Sequence, residues 1–343
     1  MEDFEIENGL LTKYNGAGGD IEIPKGVTRI CDLVFFNCNS LTSVTIPKGV
    51  TEIGHRAFLG CDNLVSVTIP EGVKELGVTF MNCRSLVNVN IPKSLTEFSR
   101  KAFENTPWLE NQLKPSDENK LVIINGILIA ANVSGDVVIP DGVKEIGDEA
   151  FYYCEKLTNV TIPKGVKTIG EHAFVGCENL VSVTIPESVK KIYAGAFEDC
   201  KSLVNVTLPD SVIEIYDRAF FRCTSLTSVT IPKEVTDIWE CTFFGCTSLT
   251  SVTIPDGVTG IAEDAFNGCT SLADVKVPDS VSLDNDDIED DFDYGDDFEY
   301  VDDYDDAKNV APGSSAAAEL YERAFSGCKS IIYKGERYSP DGQ

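Results

Sequence analysis

An apolar-proline step repeats along this chain at a nearly constant interval. Pro24, Pro47, Pro70 and Pro92, then Pro140, Pro163, Pro186, Pro209, Pro232, Pro255 and Pro278, lie 23 residues apart, except for one step of 22 and one of 48. A period in the twenties belongs to stacked coils, in which each unit covers the hydrophobic faces of its neighbours; a compact globule has no such period. A lone coil, wet on both faces, could not offset the entropy of ordering its backbone, so the unit must recur.

One full unit reads LTSVTIPKGVTEIGHRAFLGCDN, from Leu41 to Asn63. Leu41, Val44 and Ile46, with Thr45 between the last two, predict a short β-branched strand with alternating side chains. Pro47 ends it, having no N–H to give to a ladder, and Gly49 suits the turn that follows. Val50 and Ile53 point inward again. The segment 56–61 predicts one helical or 3-10 turn that closes the coil. Eleven phenylalanines at this register, from Phe35 to Phe325, mark eleven coils. At roughly 4.8 Å per strand they give a parallel sheet about 50 Å long.

The consensus Leu-x-x-Val-x-Ile-Pro-x-x-Val-x-x-Ile-Gly-x-x-Ala-Phe-x-x-Cys resembles the leucine-rich repeat of the BspA-like, or Treponema pallidum, type. The resemblance covers nearly the whole chain. It implies a β-rich α/β solenoid, a curved, right-handed, horseshoe-like array with its parallel sheet on the concave side and short 3-10 or helical turns on the other. It also implies a loose association with bacterial surface adhesion and protein binding, and it brings no catalytic residues.

Two interruptions divide the array. Between Pro92 and Pro140 lies PWLENQLK, read as a short helix, and then two apolar runs joined at Asn125-Gly126, a hairpin signal. The N-terminus repeats this pattern, turning at Asn8-Gly9 before a similar Gly-Asp strand. Either two capped arrays (1–106 and 117–343) are joined in line, or one solenoid carries an inserted hairpin. The segments expected are 1–106 with the first cap and repeats, 107–136 with the helix and hairpin, 137–281 with further repeats, 282–319 as a flexible acidic insertion, and 320–343 as the last repeat and cap.

The net charge is −28, and the stretch 284–306 holds fourteen carboxylates and no base, half of that excess. Such a surface repels nucleic-acid phosphates and anionic lipids. No apolar run has the length of a membrane span. The start MEDFEIENGLL has no signal-peptide pattern; a cytoplasmic location is expected if Met1 is the native start, and the cell surface or secretion if a leader was removed.

Ten of the twelve cysteines follow a coil phenylalanine by three residues and read as a buried ladder of free thiols acting as small hydrophobes. Cys31 and Cys241 stand off the ladder, on positions expected to face outward and react. No C-x-x-C occurs, so a zinc site is unsupported. The two histidines, His55 and His172, each precede a coil phenylalanine on an outward position, too far apart for a nucleophile-base pair. No enzyme activity and no cofactor are expected. Thr and Ser or Asn columns on the sheet (Thr45, Thr68 and onward; Ser43, Ser66 and onward) read either as a polar binding face or as hydroxyls bonded along the stack.

The strongest binding candidate is a column. Where most coils place Gly or Ala after the second inward isoleucine, three in succession carry Tyr193, Tyr216 and Trp239, and Phe221 and Phe244 stand in the next column. Exposed aromatics of this kind grip a protein or a sugar, or else pack on one another over the core edge. A second candidate is the acidic insertion, with Asp286, Asp287, Asp290, Asp291, Asp296, Asp297, Asp302 and Asp303. It reads as a solvating loop, a dock for a basic partner, or a weak Ca²⁺ binder, although it lacks the EF-hand pattern. The function expected is a non-catalytic protein-binding or adhesion scaffold, monomeric, with a protein or carbohydrate ligand. The alternatives are a structural spacer in a surface assembly and a Ca-dependent or carbohydrate-binding module.

Overall fold

The computed structural model describes residues 3–114, 119–282 and 315–340. Its contacts form two compact units, Met1–Val133 with Gly142–Tyr152, and Ser134–Asp141 with Tyr153–Gln343. Both are built from β-coils at the 23-residue period, about eleven in all, with few helices.

In the first unit, Gly19–Glu22, Leu41–Thr45, Ser66–Thr68 and Asn88–Asn90 form one parallel sheet. In the second, six strands from Gly135–Val138 to Ser251–Thr253 do the same. The register is that of the repeat: Val160 pairs with Val183, and Val183 with Val206. These valines are buried, while Thr161, Thr184 and Thr207 face out, as strand alternation requires.

A second ladder lies beyond the proline. Arg29–Ile30 pairs with Glu52–Ile53, Glu75–Leu76 with Glu97–Phe98, and Lys191–Ile192 with Glu214–Ile215, all parallel. The inward isoleucine was expected; the strand was not, because two residues carry no readable period.

Among the described residues, the segment after it is a 3-10 helix at Arg100–Phe103 and an α-helix at Ala316–Ala324, and in the other coils it closes through turns. In eight of the eleven coils the residue two before the phenylalanine adopts left-handed backbone, as at Arg56 (φ 54°), His172 (49°) and Arg218 (53°), and this interrupts a right-handed helix. The phenylalanine N–H then donates to the next coil, Phe35 to Ala57 O at 2.8 Å and Phe174 to Ala196 O at 2.8 Å. Stacking thereby takes the bond that a helix would have used.

The phenylalanines form buried spines. Phe35 and Phe58 stack at 4.7 Å with planes 6° apart, and Phe174 and Phe197 at 5.1 Å and 3°. In the first unit Trp108 packs on this stack, 4.6 Å from Phe103. Trp108 is carried by the helix Pro107–Gln112, which Thr106 caps by accepting from the Leu109 N–H.

Two hairpins of one design occur, both in the first unit. Phe4–Glu7 with Leu10–Tyr14 turns at Asn8 and Gly9, and Lys120–Ile124 with Ile127–Asn132 turns at Asn125 and Gly126. All four turn residues have positive φ, the conformation of a type I′ turn. Each hairpin lays its second strand in parallel on a two-residue strand, Leu11 on Ile30 and Leu128 on Ile146.

At the C-terminus the chain departs from expectation. Ala316–Ala324 is a helix capped by Ser315, so the segment assigned to a flexible insertion through 319 is already ordered at 316. Its alanines favour helix, and Ala317, Leu320, Tyr321 and Ala324 are buried. Ile331–Tyr333 and Glu336–Tyr338 then form a hairpin where one final strand was expected.

Candidate functional site

The aromatic column assembles as the spacing predicts. Tyr193 and Tyr216 stack at 5.2 Å with planes 1° apart, and Trp239 follows at 5.7 Å and 33°. All three rings are half-buried, where an exposed column or rings packed on one another were the two readings: the rings cover one another's faces. The column is braced at its base. The Glu214 carboxylate accepts from the Tyr216 hydroxyl at 2.5 Å and pairs with the Lys191 ammonium at 2.6 Å. Burial, then the Glu214 contact, pushes the Tyr216 hydroxyl up to about 12. Burial works against ionisation of Glu214, yet Lys191 and Tyr216 hold its carboxyl below the usual range.

Phe221 and Phe244 stack beside each other at 5.0 Å. Phe221 is only 7% exposed, and the guanidiniums of Arg218 and Arg222 lie 5.5 and 4.9 Å from its centroid. Phe221 therefore belongs to the protein's own packing, in contrast to the wider exposed patch expected, while Phe244 is half-buried.

The ladder thiols do more than fill space. Cys61 Sγ donates to Phe35 O at 3.0 Å, and Cys200, Cys223 and Cys246 donate to Phe174, Phe197 and Phe220 at 3.2 Å. All twelve thiols are free. Burial raises Cys177 and Cys200 well above the ordinary thiol range. Cys241, expected outside, is only 8% exposed, and burial followed by the nearby Glu240 pushes it up to about 12. Cys31 is half-buried.

His172 is also buried rather than outward, 3% exposed, with Glu198 and Glu171 carboxylates 3.6 and 3.5 Å from its ring nitrogens. His55 is exposed, on a groove of about 510 Å³ that Asp32, Glu52, Lys74 and Glu75 also line. On the sheet face, Ser182 donates to Asn159 Oδ1 at 2.6 Å and Thr250 to Thr227 O at 3.1 Å, so several hydroxyls bond along the stack. No group of three or more His, Cys, Asp or Glu side chains among the described residues is arranged to hold a metal ion. No helix among them is long and apolar enough to cross a membrane. The acidic candidates Asp286 to Asp303 lie outside the described residues.

Parallel coils of 23 residues, a phenylalanine spine and a thiol ladder bonded to it define a leucine-rich repeat scaffold. The chain belongs to the BspA type leucine rich repeat family, whose model matches residues 14–121, 132–247 and 169–288 in six copies. Solved structures resemble it as well. A leucine rich cell surface protein of Faecalibacterium prausnitzii is 25% identical over 71% of this chain and 89% of its own, with a TM-score of 0.42. A leucine-rich repeat protein of Bacteroides ovatus is 27% identical over 80% and 78%, with a TM-score of 0.36. One of Eubacterium ventriosum is 23% identical over 82% and 95%, with a TM-score of 0.46. No functionally curated protein matches the sequence.

Proposed function

We propose that this protein is a non-catalytic binding scaffold whose contact surface is the Tyr193, Tyr216 and Trp239 column. The observation that carries this reading is the run of three half-buried aromatic rings on successive coils, at a position that other coils fill with Gly54, Gly147, Gly170 or Ala262. Large amphipathic rings held rigid by stacking supply contact area at low entropic cost, the property of interface anchors. A protein fits this surface better than a sugar. A flat sugar ring packs on an aromatic face, and the faces within the column are occupied by neighbouring rings.

The test is partner capture with the full chain and with a Tyr193→Ala/Tyr216→Ala/Trp239→Ala variant, after thermal melting shows that the variant remains folded. The reading expects partners retained by the parent to be lost by the variant. Equal capture by both proteins would remove the column from the interface.

A further inference from the structure

A strip of charged side chains runs beside the aromatic column. Lys167 and Lys190 are exposed and stand on successive coils, joined where the Lys190 N–H donates to Lys167 O at 2.8 Å. Ile213 follows them, 40% exposed, with its N–H on Lys190 O at 2.9 Å. Tyr193 lies just past Lys190 in the same coil. Like charges on adjacent rungs repel. The chain has 56 carboxylates to 28 lysines and arginines, yet among the described residues neither of these lysines forms an ion pair.

The sign of the strip changes along the array. In its middle, beside Tyr193 and Tyr216, Lys191 and Glu214 neutralise each other at 2.6 Å. In the next coil Asp237 precedes Trp239; its carboxylate accepts from the Thr236 hydroxyl at 2.5 Å and pairs with no base among the described residues. Glu240, which follows Trp239, is exposed. One coil further on, Glu263 is exposed beside the small Ala262 and is likewise in no ion pair among the described residues. The strip is therefore basic at the Tyr193 end and acidic at the Trp239 end.

We infer that the aromatic column takes an extended segment of another protein whose charge changes sign along its length. Its carboxylates lie over Lys167 and Lys190, its apolar side chains against Ile213 and the rings, and its lysine or arginine at Asp237 and Glu263. This rests on the column as the contact surface and adds the chemistry and register of the partner. A strip of one sign would attract any chain of the opposite sign; a strip with two signs sets which end lies where and penalises a partner charged uniformly. The length suits such a segment. Lys167 and Glu263 lie four coils apart, or about 19 Å, which about six extended residues cover.

The test is fluorescence anisotropy of two labelled, end-blocked peptides of one composition, EELFLKK with its charges separated and EKLFLKE with them mixed. Each is titrated with the full chain, with its Lys167→Glu/Lys190→Glu variant, both positions being exposed, and with the Tyr193→Ala/Tyr216→Ala/Trp239→Ala variant. Equal net charge cancels any general attraction to an acidic protein. The parent should bind EELFLKK about tenfold more tightly than EKLFLKE, the difference that a few exposed ion pairs supply. The lysine variant should lose that preference, and the ring variant should lose both peptides. Absence of binding by the parent, equal affinity for the two peptides, or a preference that survives the lysine substitutions would overturn the inference. If the ring variant still lost binding in the last two cases, the column would stand as the contact surface. Binding unchanged by the ring variant would overturn the column reading and this inference together.

Discussion

The thiol of Cys200 donates to the carbonyl oxygen of Phe174, 3.2 Å away in the preceding coil. The same bond joins Cys223 to Phe197 and Cys246 to Phe220, so the side chain that ends one coil gives a second donor to a carbonyl of the coil before it, which already accepts a backbone N–H from its own coil. This explains why a cysteine, and not an alanine of similar bulk, recurs here. Cys200→Ala removes a donor from a buried carbonyl and leaves a small void, and should lower stability by about 1–2 kcal/mol, measured by urea denaturation. Alanine at the exposed Thr207 should change little by comparison.

The phenylalanine spine should be the most sensitive part of the interior. Phe220 is fully buried and stacks on Phe197 at 5.3 Å and on Phe243 at 5.4 Å. Phe220→Ala empties one rung and removes contacts on both sides, with an expected loss of about 3–5 kcal/mol. Thermal unfolding followed by circular dichroism checks this. Phe220→Leu, which retains most of the volume, should recover a large part of the loss.

Glu145 links stability to pH. Burial, then the carboxylates of Asp148 and Glu97, pushes its carboxyl up to about 7. An acid whose folded value lies above its unfolded value favours the folded state while protonated. Its contribution is therefore fully present below about 4.5 and is lost as pH rises to about 7. Glu145→Gln should raise the melting temperature relative to the parent at pH 8 and leave the two proteins much closer at pH 4.5. A gap independent of pH would refute the assignment.

Asp20 and Asp136 act in the opposite direction. Each begins a sheet and accepts two side-chain bonds from the next coil, Asp20 from Thr42 and Ser43, and Asp136 from Asn159 and Thr158. These bonds lower both carboxyl values. Their contribution is present above the ordinary value of 3.8 and is lost as pH falls through the lowered folded value. Asp136→Asn should therefore flatten the acid limb of the stability profile below pH 4, read by melting across that range.

Much of the coil was legible because its residues have one role each. Pro47 ends a strand, Val44 fills the core and Phe58 occupies a stack, and repetition makes those roles visible. The two-residue strands such as Glu52–Ile53 were not legible, since their pairing comes from stacking and not from any local period. Burial of His172 and Cys241 was missed for a related reason. Both sit at left-handed positions (φ 49° and 52°), where strand-like alternation no longer tells inside from outside. A signal for His172 was present one coil later: a Cβ at Gly195 would lie 2.2 Å from His172 Nδ1, so glycine makes room for the ring. The aromatic column was predictable from the 23-residue spacing of Tyr193, Tyr216 and Trp239, but its half-burial depends on the rings packing face to face.

Counting reactive thiols in the native protein tests the ladder most directly. With Ellman's reagent, Cys31 and Cys38, the two half-buried thiols, should react first, and the other ten, all buried, should respond only once the protein is denatured. Rapid modification of Cys200 or Cys223 in the folded chain, located by peptide mass mapping, would contradict a stack of coils closed around its own cysteines.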